Sequence, residues 1–151
     1  MKKLQVGSVL LAGIVAAGAA WAHGGATGIV KERMDAMSDI GGQMKAVGRM
    51  LRAGSYDPAL VSSAGATIAG HSGKTLVDLF PEGSLEAPTE ASPAIWTDRA
   101  KFRAYSDDLQ AAARAMKQLA DRGADMQEVA GAFAELGGTC KTCHEAFRIK
   151  K

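Results

Sequence analysis

The sequence predicts an all-α protein, an antiparallel four-helix bundle. Apolar residues recur at steps of three and four along most of the chain, which is the spacing of one helix face. Aromatic residues make up only 5% of the 151 residues, whereas strands are rich in aromatic and β-branched side chains. Short polar links separate some of the periodic segments, and short links place consecutive helices antiparallel. The length predicts a single domain.

The first helix is predicted to begin after Thr27, a typical N-cap residue, and to end at Gly54. A single charged residue, Arg33, interrupts its apolar stripe. The stripe consists of Val30, Arg33, Met37, Ile40, Met44, Val47 and Leu51.

The second helix is predicted to begin at Asp57-Pro58, because aspartate is a good N-cap and proline fits the first helical position. The sequence does not define its end, because several glycines weaken the pattern. One interpretation is that the segment 75–80 continues this helix before Pro81 breaks it. The segment 81–92 is rich in Pro, Glu, Ser and Thr and is predicted to be a surface loop.

The third helix is predicted to begin at Ser92-Pro93, by the same pattern, and to end at Gly123. Asp125 with Glu128 forms a capping box that predicts the start of the fourth helix. The apolar stripe of this last helix consists of Met126, Val129, Phe133, Leu136, Cys140, Cys143 and Phe147.

Residues 1–22 are predicted to be a secretory signal peptide. Two lysines precede an uncharged run over 4–20, and Ala20-Trp21-Ala22 is an A-x-A cleavage site. An uncleaved membrane anchor is the alternative, but the run is short for a spanning helix. Cleavage after Ala22 would leave residues 23–151 as the bundle domain, with no stable membrane insertion.

The charge of the predicted mature chain excludes one class of partner. Removing two lysines reduces Lys and Arg from 18 to 16, which equals the 16 Asp and Glu residues. A chain with no net charge has no basic field of the kind that nucleic-acid-binding proteins use. We therefore expect no nucleic acid as a partner.

Cys140-Lys141-Thr142-Cys143-His144 has the C-x-x-C-H spacing of a c-type haem attachment motif. Positions i, i+3 and i+4 share one face of a helix. Two thiols at this spacing can bond to two vinyl groups of a porphyrin, and the adjacent imidazole can reach the iron. The motif predicts one covalent haem c, with His144 as an axial iron ligand on the core-facing side of the last helix.

Paired cysteines have three other common uses in proteins. A thioredoxin-like motif would need a βαβ setting, and a structural zinc site would need two further ligands. An exported chain meets an oxidising compartment, so a structural disulfide is the stronger alternative. Such a disulfide would close a very small loop and would leave the histidine unexplained.

The chain resembles the class II cytochromes c, the bacterial four-helix bundles that include cytochrome c-prime and cytochrome c-556. The motif near the C-terminus of an exported helical chain carries the resemblance, and further segments extend it over nearly all of the predicted mature chain. These are Gly137-Gly138-Thr139, Glu145-Ala146-Phe147-Arg148, Ile95-Trp96 with Phe102, Leu79-Phe80-Pro81, and Gly41 with Met44-Lys45.

The family divides over the second axial position of the iron. In cytochromes c-prime a bulky apolar residue of the first helix covers the iron, which stays five-coordinate and binds NO or CO. In c-556 types a methionine fills the position, and the resemblance places that methionine at Met37, with Met34 and Met44 as the next candidates. The alternative for Met37 is ordinary core packing, since methionines at helical spacing usually fill cores.

The resemblance also bears on Arg33, which lies one turn before Met37. It implies a contact with a haem propionate, and the alternative is a surface arginine.

The function implied is that of a periplasmic one-electron carrier with His/Met ligation, which shuttles electrons between redox proteins and is not an enzyme. The alternative is a five-coordinate protein that binds NO or CO. The family also makes a homodimer through the first two helices possible.

Overall fold

The computed structural model describes residues 25–149, and the predicted signal peptide over 1–22 lies outside them. The described part of the chain holds six helices, and its only β-type pairing is an isolated antiparallel bridge between Ala91 and Arg148. The four long helices form the predicted bundle, and two short helices lie between the second and third of them. The helices are α1 Gly28–Arg52, α2 Pro58–Gly70, α3 Lys74–Asp78, α4 Ala94–Thr97, α5 Arg99–Asp121 and α6 Met126–Phe147.

Three predicted helix starts are confirmed. Thr27 occupies the N-cap position of α1, although its side chain makes no capping hydrogen bond. The Asp57 carboxylate accepts hydrogen bonds from the first backbone N–H groups of α2, at 2.9 and 3.2 Å. At α6 the capping box is complete, because Asp125 accepts from the Glu128 N–H and the Glu128 side chain accepts from the Asp125 N–H. These caps satisfy N–H groups that have no partner within the helix.

The structure gives the second helix an end that the sequence left open. Helix α2 stops at Gly70, and Gly73 turns the chain into α3 with φ = 63°, a value that favours glycine. A Cβ at Gly73 would lie 2.8–2.9 Å from the side-chain amide of Gln110 on α5. The Gly73 carbonyl also accepts a hydrogen bond from the Ser106 hydroxyl at 3.0 Å. Close approach to α5 therefore fixes this break.

The predicted start of the third long helix at Ser92-Pro93 is wrong. Proline opens only the short α4, and the chain breaks at Asp98, where φ is −128° and ψ is 55°. The Asp98 carboxylate then accepts a hydrogen bond from the Lys101 N–H and caps α5. An aspartate that can cap its own downstream backbone competes with a continuous helix, and here the cap prevails.

The apolar interior consists of two clusters. The first cluster lies among the four long helices and includes Val47, Val61, Ile68, Met116 and Leu136, each fully buried or nearly so. The second cluster is formed mainly by α3, α4 and the end of α6. It consists of Leu76, Val77, Phe80, Ala91, Ile95, Phe102 and Phe147.

The four long helices do not pack equally closely. Helices α2 and α5 have the most extensive contact, followed by α5 with α6 and α1 with α2. Helices α1 and α6 have the least contact of these neighbouring pairs. The bundle is therefore most open between α1 and α6. None of the helices in residues 25–149 is both long enough and apolar enough to cross a membrane.

Candidate haem site

The C-x-x-C-H motif occupies the last two turns of α6. Cys140 and Cys143 are half-buried free thiols, as the predicted apolar stripe requires. His144 is exposed, so its predicted position on the core-facing side is wrong.

Burial sets the protonation of the motif. It raises the pKa of the Cys143 thiol to about 11, and the neighbouring Cys140 adds to the shift. Burial also raises the pKa of Cys140, against the opposing effect of a hydrogen bond with Thr139. Although His144 is exposed overall, desolvation of the shielded part of its ring lowers its pKa, and Arg148 lowers it further. Glu90 has the opposite effect and raises the pKa of His144. The imidazole is thus held toward the neutral form, which is the form that binds a metal.

Met37 is the methionine of α1 that lies where the two apolar clusters meet. Its half-buried side chain packs against both clusters, whereas Met44 packs against the first cluster only. Cys140 packs against the first cluster and Cys143 against the second. Met37 therefore lies at the boundary between the clusters, and each of the two thiols contacts one of the clusters that meet there.

Arg33 is buried, with 3% of its surface exposed, so its alternative interpretation as a surface arginine is wrong. Its Nη1 donates to the Ser84 hydroxyl at 3.3 Å and its Nη2 donates to the Ser84 carbonyl. The guanidinium carbon lies 4.8 Å from the centre of the Phe80 ring. Burial lowers the pKa of Arg33, and Glu86 opposes this effect. Among residues 25–149, the buried Nε has no hydrogen-bond partner.

These residues fit a haem. Two thiols and an imidazole stand on adjacent turns of one helix, and a thioether stands on the helix across the most open part of the bundle. The unpaired Nε of Arg33 is a buried donor, which costs free energy unless an acceptor meets it. A propionate carboxylate is such an acceptor. The donor set and the buried cation thus match the two chemical ends of the group, its iron and its carboxylates.

Two contacts of the 81–92 loop at this end of the bundle were not predicted from the sequence. Ser84 binds Arg33 as described, and the Glu90 carboxylate accepts a hydrogen bond from the Arg148 Nε at 2.7 Å. Loop residues follow no periodicity, so the spacing of polar residues over 81–92 gives no signal for either contact. The one available signal was Arg33 itself, a cation within an apolar stripe, which requires a buried polar partner.

Comparison with known proteins assigns the family. The family described as Cytochrome C′ matches residues 28–148. Cytochrome c-556 of Agrobacterium fabrum (strain C58) is 36% identical over 152 residues, covering 100% of this chain and 99% of that protein. Cytochrome c′ of Rhodopseudomonas palustris is 34% identical, covering 99% of each chain. The solved structure of a cytochrome c′ from Rhodopseudomonas palustris superposes with a TM-score of 0.75, at 34% identity over 83% of this chain and 99% of that one. The chain therefore belongs to the class II cytochromes c, the family of haem proteins that includes cytochrome c′ and cytochrome c-556.

Proposed function

We propose that this protein is a periplasmic one-electron carrier that holds one haem c, with Cys140 and Cys143 as its covalent attachment points. His144 and Met37 are the proposed axial ligands of the iron. The haem supplies the redox chemistry, and the chain catalyses no reaction itself. The proposed partners are other redox proteins of the same compartment. Export depends on the predicted signal peptide, and a homodimer through α1 and α2 stays a prediction.

The placement of Met37 is the observation that carries the proposal. A methionine that only fills the core would pack within one cluster, as Met44 does. Met37 instead packs against both clusters, and Cys140 and Cys143 pack against one of them each. A thioether ligand raises the reduction potential and fills the iron site, which suits electron transfer without ligand exchange.

Each side chain has a distinct task in this proposal. The two thiols would attach the haem to α6, and the adjacent imidazole would supply one ligand of its iron. Met37 of α1 would supply the other ligand through its thioether. Arg33, buried one turn before Met37, offers its unpaired Nε to a propionate and keeps a positive charge near the iron.

The second candidate function is a five-coordinate protein that binds NO or CO. The similarity of this chain to cytochrome c′ of Rhodopseudomonas palustris, at 34% identity, favours it about as much as the 36% identity to a cytochrome c-556 favours the first. The two functions differ in one bond, between the Met37 sulfur and the iron. A direct test of that bond distinguishes them.

The test is the visible absorption spectrum of the purified exported protein, oxidised and reduced, with and without CO. Electron transfer with Met37 ligation predicts sharp α and β bands on reduction, a weak sulfur-to-iron band in the far red when oxidised, and no response to CO. Met37→Leu should remove the far-red band and allow CO to bind. The matched control, Met44→Leu, changes a half-buried methionine of the same helix and should leave the spectrum unchanged.

A broad high-spin spectrum of the unaltered protein that shifts with CO would contradict Met37 ligation and favour gas binding. Covalent attachment is tested separately, by haem staining on a denaturing gel. The stain should persist in the unaltered protein and disappear when both Cys140 and Cys143 are replaced by serine. A stain that survives this double change would refute the attachment.

A further inference from the structure

The 81–92 loop contacts both helices that carry the proposed axial ligands. Through Ser84 it binds Arg33 of α1, which lies four residues before Met37. Through Glu90 it binds Arg148, which directly follows α6 and lies four residues after His144. Each contact is thus about one helical turn from a proposed ligand.

The contact on the α1 side is buried. Ser84 is 6% exposed, and it receives hydrogen bonds from two nitrogens of Arg33, one at its hydroxyl and one at its carbonyl. The Ser84 hydroxyl in turn donates to the Pro81 carbonyl at 2.7 Å, which closes the loop on itself. Phe80, at the start of the loop, lies against the same guanidinium. One arginine of α1 is therefore held by both the side chain and the backbone of the loop.

The contact on the α6 side combines an ion pair with backbone hydrogen bonds. Both the Nε and the Nη2 of Arg148 donate to the Glu90 carboxylate. The Ile149 N–H donates to the Glu90 carbonyl at 2.8 Å, and the Ser92 N–H donates to the Phe147 carbonyl at 2.9 Å. Carbonyls in the last turn of a helix have no partner within it, so the loop satisfies one that α6 leaves open.

The start of the loop is fixed to the rest of the bundle. The Phe80 carbonyl accepts hydrogen bonds from the Trp96 indole at 3.2 Å and from the Arg99 guanidinium at 2.9 Å. The Phe80 ring packs edge-to-face on Phe102, which packs in the same way on Phe147, with ring centres 5.0 and 5.3 Å apart. Phe80, directly before the loop, is therefore the first of three packed rings that end at Phe147 of α6. Its ring also contacts Arg33 of α1.

We propose that the 81–92 loop is a strap across the most open part of the bundle, and that Ser84 and Glu90 are positioning residues. Helices α1 and α6 have little direct contact, so a segment bound to both sets their separation. The strap thereby fixes where the Met37 sulfur stands relative to the His144 imidazole. This last step rests on the proposed His/Met ligation, whereas the coupling of the two helices through the loop does not.

The experiment compares three variants of the full-length, haem-loaded protein. Glu90→Gln keeps the size of the side chain and removes the ion pair on the α6 side, and Ser84→Ala removes the hydroxyl contact on the α1 side. Asp107→Asn is the matched control, because it also removes one negative charge, and because Asp107 pairs with Arg103 within α5, so that no contact between helices is lost. Backbone hydrogen exchange is followed by mass spectrometry, together with the temperature at which the far-red sulfur-to-iron band disappears.

If the loop couples α1 and α6, breaking its contact with one helix should raise the hydrogen exchange of the other helix. Glu90→Gln should raise exchange in the first half of α1, and Ser84→Ala should raise it in the last turns of α6, by roughly twofold to fivefold for a partly exposed ion pair. Both variants should lose the far-red band at a lower temperature than the unaltered protein. The control should show neither effect.

The outcomes separate the strap from the proposed ligation. Reciprocal exchange effects in a protein that has no far-red band would support the strap and refute Met37 as a ligand. Effects confined to the residues next to each substitution would overturn the strap, whatever the spectrum of the unaltered protein. A control that behaves like Glu90→Gln would also overturn it, because charge alone would then explain the result.

Discussion

The guanidinium of Arg33 lies on the face of the Phe80 ring, with 4.8 Å between its central carbon and the ring centre. Two nitrogens of Arg33 donate hydrogen bonds to the neutral oxygens of Ser84. Among residues 25–149, Arg33 makes no salt bridge with a carboxylate. An aromatic face and neutral acceptors stabilise a cation without cancelling its charge. Glu86 attracts Arg33 only at longer range than a salt bridge, so the positive charge of Arg33 is available to the site that we assign to the haem.

Replacing Arg33 by Met should lower the midpoint potential of the haem-loaded protein. A nearby cation disfavours the oxidised iron, which carries one more positive charge, so removing the cation stabilises the oxidised form. The expected shift is on the order of tens of millivolts for a charge in a poorly hydrated site. A potentiometric titration followed by visible absorption measures it.

Lys45→Met is the control for this shift. Lys45 is an exposed cation of the same helix, and water screens its charge. Its replacement should change the potential much less. Equal shifts in the two variants, or a rise in potential for the Arg33 variant, would contradict the assignment of Arg33 to the haem site.

Replacing Gly65 by Ala should destabilise the bundle. Gly65 lies where α2 meets α5 most closely, and a Cβ there would be 2.8 Å from the Ala113 carbonyl oxygen and 2.8 Å from the Lys117 Cβ. The carbonyl belongs to the α5 backbone and cannot move alone, so the helices must separate. We expect the free energy of unfolding, measured by urea titration, to fall by about 1–3 kcal/mol.

Gly131→Ala provides the opposite result for comparison. Gly131 is an exposed helical residue of α6, and a Cβ there would meet no atom within 4 Å. Alanine should stabilise the helix by roughly 0.5–1 kcal/mol relative to glycine. If both glycine substitutions stabilise the protein, the close approach of α2 and α5 is not as tight as the structure indicates.

The sequence was sufficient for the starts of α2 and α6, because these starts follow local rules. Asp57 and the pair Asp125 and Glu128 define helix starts through contacts within four residues, and each start was predicted at its observed position. The break at Asp98 was missed because proline at 93 satisfies the same local rule as proline at 58. Only the local competition at Asp98, which ends α4 and caps α5, decides between one helix and two.

The candidate site was predictable only as far as its motif. The spacing of Cys140, Cys143 and His144 is a chemical requirement that the sequence states directly. The burial of Arg33 and its contact with Ser84 join positions 51 residues apart, and no periodicity links a helix to an irregular loop. The exposure of His144 was missed because the helical spacing places it on the same face as Cys140, whereas its burial depends on how the other elements pack around the end of α6.

The thiol of Cys143 should react slowly in the haem-free chain. The thiolate is the nucleophile, and burial raises the pKa of Cys143 from about 9 to about 11. At pH 8 its alkylation should be on the order of a hundredfold slower than that of an exposed thiol, and the rate should rise as the pH approaches 11. Site-resolved mass spectrometry after a timed alkylation with iodoacetamide measures both cysteines together.

The same chain in urea is the control for the reactivity of Cys143. Unfolding removes the burial, so the pH dependence should return to that of an ordinary thiol. Fast alkylation of the folded chain at pH 8 would mean that the thiol is not buried as described.

Replacing Asp125 by Ala should destabilise the protein through the start of α6. The carboxylate accepts from the Gln127 and Glu128 N–H groups at 2.8 and 2.9 Å, and the alanine leaves both without that acceptor. The expected loss is about 0.5–2 kcal/mol in the free energy of unfolding, measured by urea titration. Asp125→Asn keeps an acceptor oxygen and should lose much less, and an equal loss in the two variants would argue against capping as the cause.

The division of the apolar interior into two clusters has a consequence for cooperativity. The first cluster ties together all four long helices, whereas the second depends on short helices, the end of α6 and the 81–92 loop. Among the described residues, Met37 is the one partly buried apolar side chain that packs against both. The two clusters therefore join at the proposed haem site. A haem that spans this junction would make the two unfold as one.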